Sequence, residues 1–324
     1  MHKMKYILLL AFPFIILSCT DNIQGPETPE AEALKKRSEF TKFYFDHAET
    51  ESRIPYHFFE PEQASSAPND SFPLVVALHG IEYFVSTEEE FLIEDSSAYY
   101  ALGWVEDDIQ AEYPAFVVAP NIYEDLWFEG NFEGEWVSDN AVDFMNQLIS
   151  HLLNEYPGIN SDKIFVTGHS AGGVGAWYQG TQLDHNIAAV IPLSSAFSSD
   201  SPDFHLFEQA ANNGEFTNLP VWAFIHRIDA DGNSSSNGRH GDRTLFDTFT
   251  TRCYFPVFTH GFEDTIYDLS EAEIKAEIDA GKKHFYTEYD YPCSTDNCHF
   301  ASTRALKEPL LFEWLFQQSS AGRE

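Results

Sequence analysis

A serine hydroxyl becomes a useful nucleophile when a tight turn lifts it clear of a sheet and a base stands within reach of its proton. The run Lys163-Ile164-Phe165-Val166-Thr167-Gly168-His169-Ser170-Ala171-Gly172-Gly173 has the composition for such a turn. An apolar strand enters Gly-x-Ser-x-Gly, and a helix-like stretch leaves it through Ala176-Trp177-Tyr178. Small residues two before and two after Ser170 let strand and helix pass close together. The N-terminus of the following helix would aim backbone N–H groups at developing negative charge. Gly-x-Ser-x-Gly alone is a weak pattern and also occurs as an incidental turn. Its place between strand and helix, with Gly173 following, makes Ser170 the candidate nucleophile.

Such a turn needs a sheet to stand on. Leu74–Leu78, Ala115–Ala119, Ile164–Val166, Ala188–Ile191 and Val221–Ile225 are continuous apolar runs. Strands apolar on both faces belong to a central parallel sheet, because helices cover both sides of it. Ahead of them, Phe40–Phe45 and Ile54–Phe59 alternate apolar and polar residues, as half-buried antiparallel strands do. Asp139–Glu155 places Val142, Met145, Leu148, Ile149, Leu152 and Leu153 at helical spacing. Ser270-Glu271-Ala272-Glu273 opens another helix with a capping signature, running to about Ala280. Glu308–Gln318 also reads as a helix. The fold class is therefore α/β, with a mostly parallel central sheet, antiparallel N-terminal strands and helices on both faces. Insertions at Ile81–Val105 and Tyr123–Trp136 follow strand ends, where such folds place their sites. Their rings, with Trp104, Tyr178, Tyr83, Phe84, Trp127, Phe128 and Trp136 in view, suit a sugar or phenol, though most aromatics in a domain are core or loop anchors.

The stretch from Tyr156 through Gly158-Ile159-Asn160-Ser161-Asp162-Lys163 to Trp177 resembles the esterase/polyhydroxybutyrate-depolymerase-like branch of the α/β hydrolases, which includes feruloyl and acetyl-xylan esterases and predicted surface peptidases. Ile54-Pro55-Tyr56, Pro73–Gly80 and Phe116–Pro120 fall in the same order as in that branch. Ala171 departs from it, standing where the family often has Met. The resemblance implies the α/β-hydrolase fold from about residue 40 onward, with a triad in the order serine, acid, histidine. Downstream of Ser170 lie His185, His205, His226, His240, His260, His284 and His299. The family's ending places its catalytic histidine where His299 stands, ahead of Pro309, Phe312 and Trp314. The acid falls in His226–Asn233. Asp231 matches the family's Asp-Gly pairing, and Asp229 matches better by counting from the strand end; Asp231 is preferred and Asp229 is the alternative. His226 and Arg227 are read as structural. His79-Gly80 resembles the oxyanion-hole element, with the N–H of Ala171 and the N–H of Ile81 (Glu82 as the alternative) as donors, each commonly worth about 3 kcal/mol. The His79 side chain is read as a brace for that loop.

The N-terminus reads as an export signal rather than as fold. Lys3 and Lys5 precede an apolar Ile7–Leu17, too short to span a bilayer comfortably. Ile16-Leu17-Ser18-Cys19 resembles the lipobox of bacterial lipoproteins, which implies lipidation at Cys19; an ordinary cleaved signal is the alternative. Residues 1–18 are thus a signal peptide and 19–38 a polar tether. Residues 39–318 form a single catalytic domain, and 319–324 a tail. Cys253, Cys293 and Cys298 remain, and export permits a disulfide. Cys293 and Cys298 are close enough to close a small loop, while Cys253 could pair with either.

Eighteen Lys+Arg against 52 Asp+Glu give a net charge of −34. A surface this acidic repels nucleic acid and anionic headgroups, so nucleic acid is excluded as a partner and the membrane is met only through the lipid anchor. No Cys/His cluster has zinc-type spacing, and a serine mechanism requires neither metal nor organic cofactor. The expected function is extracytoplasmic ester hydrolysis through an acyl-enzyme, on feruloyl or acetyl esters of polysaccharide or on short acyl and polyester chains. A serine peptidase on the same fold is the alternative, and an inactive surface-binding lipoprotein a third reading.

Overall fold

Apolar runs bounded by turns satisfy their backbone groups by pairing with one another, and the computed structural model arranges them as one sheet. It describes residues 39–67, 69–80, 99–121, 139–182, 185–230, 241–251, 257–260, 269–291, 297–299 and 301–323. The export signal, the tether, Cys19, Ile81, Glu82, Asp231, Cys253 and Cys293 lie outside the described residues.

Nine strands are described: β1 (Thr41–His47), β2 (Ser52–Phe59), β3 (Phe72–Leu78), β4 (Phe116–Pro120), β5 (Ile159–His169), β6 (Ile187–Leu193), β7 (Val221–His226), β8 (Val257–His260) and β9 (His284–Tyr289). Their order across the sheet is β1-β2-β4-β3-β5-β6-β7-β9-β8. β1 with β2, and β2 with β4, are antiparallel, and every other neighbouring pair is parallel. The carboxyl ends of β3, β5, β6 and β7 therefore share one edge of the sheet, where a parallel fold collects its functional groups.

The main helices are α1 (Asp139–Glu155), α2 (Ala171–Gln182), α3 (Pro202–Asn213), α4 (Arg227–Ala230), α5 (Gly241–Thr251), α6 (Glu271–Asp279) and α7 (Pro309–Phe316). Alternation along β3 shows how they are shared between the two faces. Leu74, Val76 and Leu78 pack with Phe144, Leu148 and Leu152 of α1 and Val174 and Trp177 of α2. Val75 and Ala77 pack with Ile274 and Ile278 of α6 and Leu311, Phe312 and Trp314 of α7. The capping signature at α6 is realised: Ser270 Oγ accepts from Glu273 N–H while Glu273 Oε2 accepts from Ser270 N–H at 2.8 Å.

The outer strand β1 carries an exposed ring, Tyr44, at 38% exposure. Arg53 of β2 lies 4.4 Å and Lys42 Nζ 5.4 Å from its ring centroid. No described helix is long and apolar enough to cross a membrane.

Candidate active site

Ser170 sits between the last residue of β5 and the first residue of α2, at φ +59°. That left-handed conformation costs a residue with a side chain about 1–3 kcal/mol and survives only where its surroundings enforce it. Here they do. Ser170 N–H donates to Leu193 O at 3.0 Å, and Ser170 O accepts from Gly173, Val174 and Ala196 N–H at 2.9, 3.2 and 3.1 Å. A Cβ on Gly168 would stand 2.2 Å from Gly172 O. One on Gly172 would stand 2.3 Å from Leu78 O and 2.6 Å from His79 O. The glycines thus let β5, α2 and the end of β3 touch through their backbones, which brings His79-Gly80 alongside the turn. Ala171 is buried as the first residue of α2, so its N–H belongs to the unpaired first turn of a helix. His79 Nδ1 lies 2.8 Å from Gly80 O, a brace for its own loop.

His299 reaches the turn from beyond β9, on a single helical turn at Asn297–His299. Its ring lies 4.7 Å, centroid to centroid, from that of His169, the residue preceding Ser170. Its Nδ1 is 2.8 Å from Asp229 Oδ2. Asp229 is fully buried and belongs to α4, the four-residue helix that follows β7. An ionised carboxylate only accepts, so Nδ1 carries the proton and Nε2 is the ring's basic nitrogen. Of the two acids weighed from the sequence, Asp229 is the one placed against His299; Asp231 lies outside the described residues.

His226, His284, His185 and His205 are engaged elsewhere. His226 Nδ1 accepts from Ile228 N–H at 3.1 Å and its Nε2 lies 3.0 Å from Tyr291 O. Burial holds His226 below its ordinary pKa, against the opposing pull of Tyr291 O and Asp290. Arg227 pairs with Asp290 at 3.0 Å. His284 is buried at the start of β9 with Nε2 2.8 Å from Phe216 O. His185 is 3.0 Å from Asn146 O, and His205 is exposed beside Glu208.

Near Asp229 lies a polar cluster that sequence reasoning did not single out. Asp242, in the first turn of α5, is fully buried. It accepts from Trp177 Nε1 at 2.8 Å and from Ser195 N–H at 3.2 Å. Burial raises its pKa to about 6, Trp177 and Ser195 oppose this, and the charge of Asp229 adds to it. Arg243, the next residue, grips Glu288 with Nε–Oε2 at 3.0 Å and Nη2–Oε1 at 2.6 Å, and Tyr286 donates to Glu288 Oε2 at 2.8 Å. Ser194 adjoins the turn with φ +48° and is fully buried. Two strained serines on neighbouring strand ends were a signal the composition could not carry.

Among the rings weighed from the sequence, Trp104 is core, packed edge-on to Phe312 at 5.3 Å. Tyr178 packs on Phe207 at 5.1 Å. Tyr83, Phe84, Trp127, Phe128 and Trp136 lie outside the described residues. Cys298 is buried beside His299.

The sequence matches no family model and no curated protein. Solved structures do match. A thermostable esterase is 22% identical with a TM-score of 0.62, over 88% of this chain and 64% of that one, so the chain spans somewhat under two thirds of that protein's length. A ferulic acid esterase is 14% identical with a TM-score of 0.53, over 85% and 98%. An acylaminoacyl peptidase is 14% identical with a TM-score of 0.51, over 92% of this chain and 45% of that one. At such identities the likeness speaks for architecture. Joined to the strand order and to the strained serine between β5 and α2, it establishes that the chain has the α/β-hydrolase fold.

Proposed function

We propose that the chain is a serine carboxylic-ester hydrolase working outside the inner membrane. The observation that carries this reading is the Asp229–His299 pair at 2.8 Å, set beside the positive-φ Ser170 by the contact of His299 with His169. Ser170 Oγ attacks the ester carbonyl while His299 Nε2 takes its proton, and Asp229 stabilises the imidazolium. The oxyanion is received by the N–H of Ala171 and by that of Ile81, the residue after Gly80. Collapse returns the proton to the departing alcohol and leaves an acyl-Ser170, which water then hydrolyses by the same steps in reverse.

An ester substrate is favoured over a peptide. The acylaminoacyl peptidase is matched over 45% of its length. The ferulic acid esterase is matched over 98% of its length. Feruloyl or acetyl esters of polysaccharide, or short acyl and polyester chains, are the substrate classes. Cys19 would tether the domain to the cell envelope, and a Cys293–Cys298 bond would stiffen the segment that presents His299.

The test is turnover by wild type and Ser170→Ala on p-nitrophenyl acetate and butyrate, methyl ferulate, acetylated xylan and an aminopeptidase substrate. Ester turnover abolished in the variant is the expected result. Peptide turnover alone moves the chain to the peptidase reading. Absence of both turnover and Ser170-dependent labelling by a fluorophosphonate sinks the enzyme reading in favour of a binding protein.

A further inference from the structure

His47, the last residue of β1, has a side chain with no exposed surface, and its Nε2 faces two carboxylates rather than one. Asp143 Oδ2 from α1 lies 3.0 Å from it, and Glu49 Oε2 from the β1–β2 turn lies 3.3 Å from it. His47 Nε2 lies within hydrogen-bonding distance of Asp143 Oδ2. Glu49 is brought to the same nitrogen by Gln147, whose side-chain N–H groups reach both carboxylates. Two carboxylates converging on one nitrogen of a chain of net charge −34 repel each other, and a cation between them would offset that repulsion.

We propose that His47 Nε2, Glu49 Oε2 and Asp143 Oδ2 bind a first-row divalent cation of the Zn2+ type. The three donor atoms lie within 4.8 Å of one another. Bonds of about 2.0–2.1 Å to such an ion separate neighbouring ligand atoms by about 3.0–3.4 Å, the range of the two distances at His47. The surrounding groups act as supports. Thr50 Oγ1, 2.8 Å from Nδ1, takes the Nδ1 proton and turns the Nε2 lone pair toward the carboxylates. Gln147 Nε2 donates to Glu49 Oε2 at 2.8 Å and to Asp143 Oδ2 at 2.9 Å, holding both oxygens in place. Glu49 and Asp143 are 52% and 45% exposed, which leaves an approach for the ion and positions for water. Imidazole with two carboxylates favours a Zn2+-type ion over Ca2+ or Mg2+, which prefer oxygen alone.

The site is structural. β1 is four strands away from β5, about 19 Å across the sheet, so the ion takes no part in events at Ser170. It pins the β1–β2 hairpin to α1 and stabilises the fold by mass action.

The experiment is Zn2+ titration by calorimetry into the chelator-treated full chain, with thermal unfolding and p-nitrophenyl acetate turnover measured alongside. One equivalent should bind and raise Tm, with turnover unchanged within twofold. Asp143→Asn should weaken binding at least tenfold and abolish the rise in Tm, again without affecting turnover. His47→Gln should do the same, and the half-exposed Asp143 carries the test if that buried substitution prevents folding. No binding, or affinity unchanged in Asp143→Asn, overturns the proposal.

Discussion

In the proposed mechanism His299 serves as a base only while its second nitrogen holds a proton, and the 2.8 Å contact with the buried Asp229 supplies that condition. Replacing the carboxylate by an amide of the same shape allows the wrong tautomer. Asp229→Asn should therefore lower kcat for an ester by on the order of 10^4, with KM little changed. Asp231→Asn should leave kcat within a few-fold. Steady-state kinetics on the two variants decides between them, and the reverse pattern would move the acid to Asp231. Both residues were visible as candidates in the sequence, but their order of preference followed a linear motif. α4 turns the chain within four residues of β7, and a helical turn shifts which side chain faces back toward His299. The Asp-Gly pairing that favoured Asp231 carries no trace of that rotation, whereas counting from the strand end pointed to Asp229. Asp242 was illegible for a related reason, since its partners Ser195 and Trp177 lie 47 and 65 residues away. The cation site is hidden in the same way, because 96 residues separate His47 from Asp143.

Among the elements, the turn after β5 combines close packing with strain. Gly172 has carbonyl oxygens of β3 and its loop where a methyl group would go, and backbone cannot step aside as a flexible side chain can. Gly172→Ala should force β3 and α2 apart, with loss of fluorophosphonate labelling and a Tm lowered by several degrees. Full labelling at an unchanged Tm would show that the two backbones are less tightly joined. The five apolar runs, the two leading antiparallel strands, α1 and the Ser270 cap were legible because each declares itself within a few residues. β8, α3 and α5 were not among the expected elements. β8 is a four-residue edge strand whose short Val257-Phe258 pair follows Pro256 and gives way to Thr259 and His260, too brief an apolar stretch to stand out as a strand. α3 carries both a start signal, Ser201 capping Phe204 N–H with Pro202 in the first turn, and a buried stripe of Phe204, Phe207, Ala210 and Ala211 at helical spacing.

For the molecule as a whole, two buried groups bend stability with pH in opposite senses. Asp242 titrates near 6 in the fold against an ordinary 3.8. Its contribution is complete below about 3.8 and is lost as pH rises through about 6. Burial lowers His284 to about 4 from 6.5, so its contribution is present above 6.5 and is lost as pH falls toward 4. The two oppose each other between pH 4 and 6.5. Asp242→Asn removes the first alone, and its stability relative to wild type should improve from pH 4.5 to 7.5, by no more than about 3 kcal/mol. Urea unfolding at both pH values reads this difference, and an equal offset at each would show that Asp242 does not titrate in that window. The hairpin at the sheet's margin carries a further consequence. An outer strand offers its unpaired amides to any similar strand that drifts past, and identical molecules are the nearest supply. β1, reading Phe43-Tyr44-Phe45, has the makings of such a template. The cations of Lys42 and Arg53 gathered on Tyr44 set charge along that margin, a feature that works against copies of this protein joining edge to edge into a growing filament.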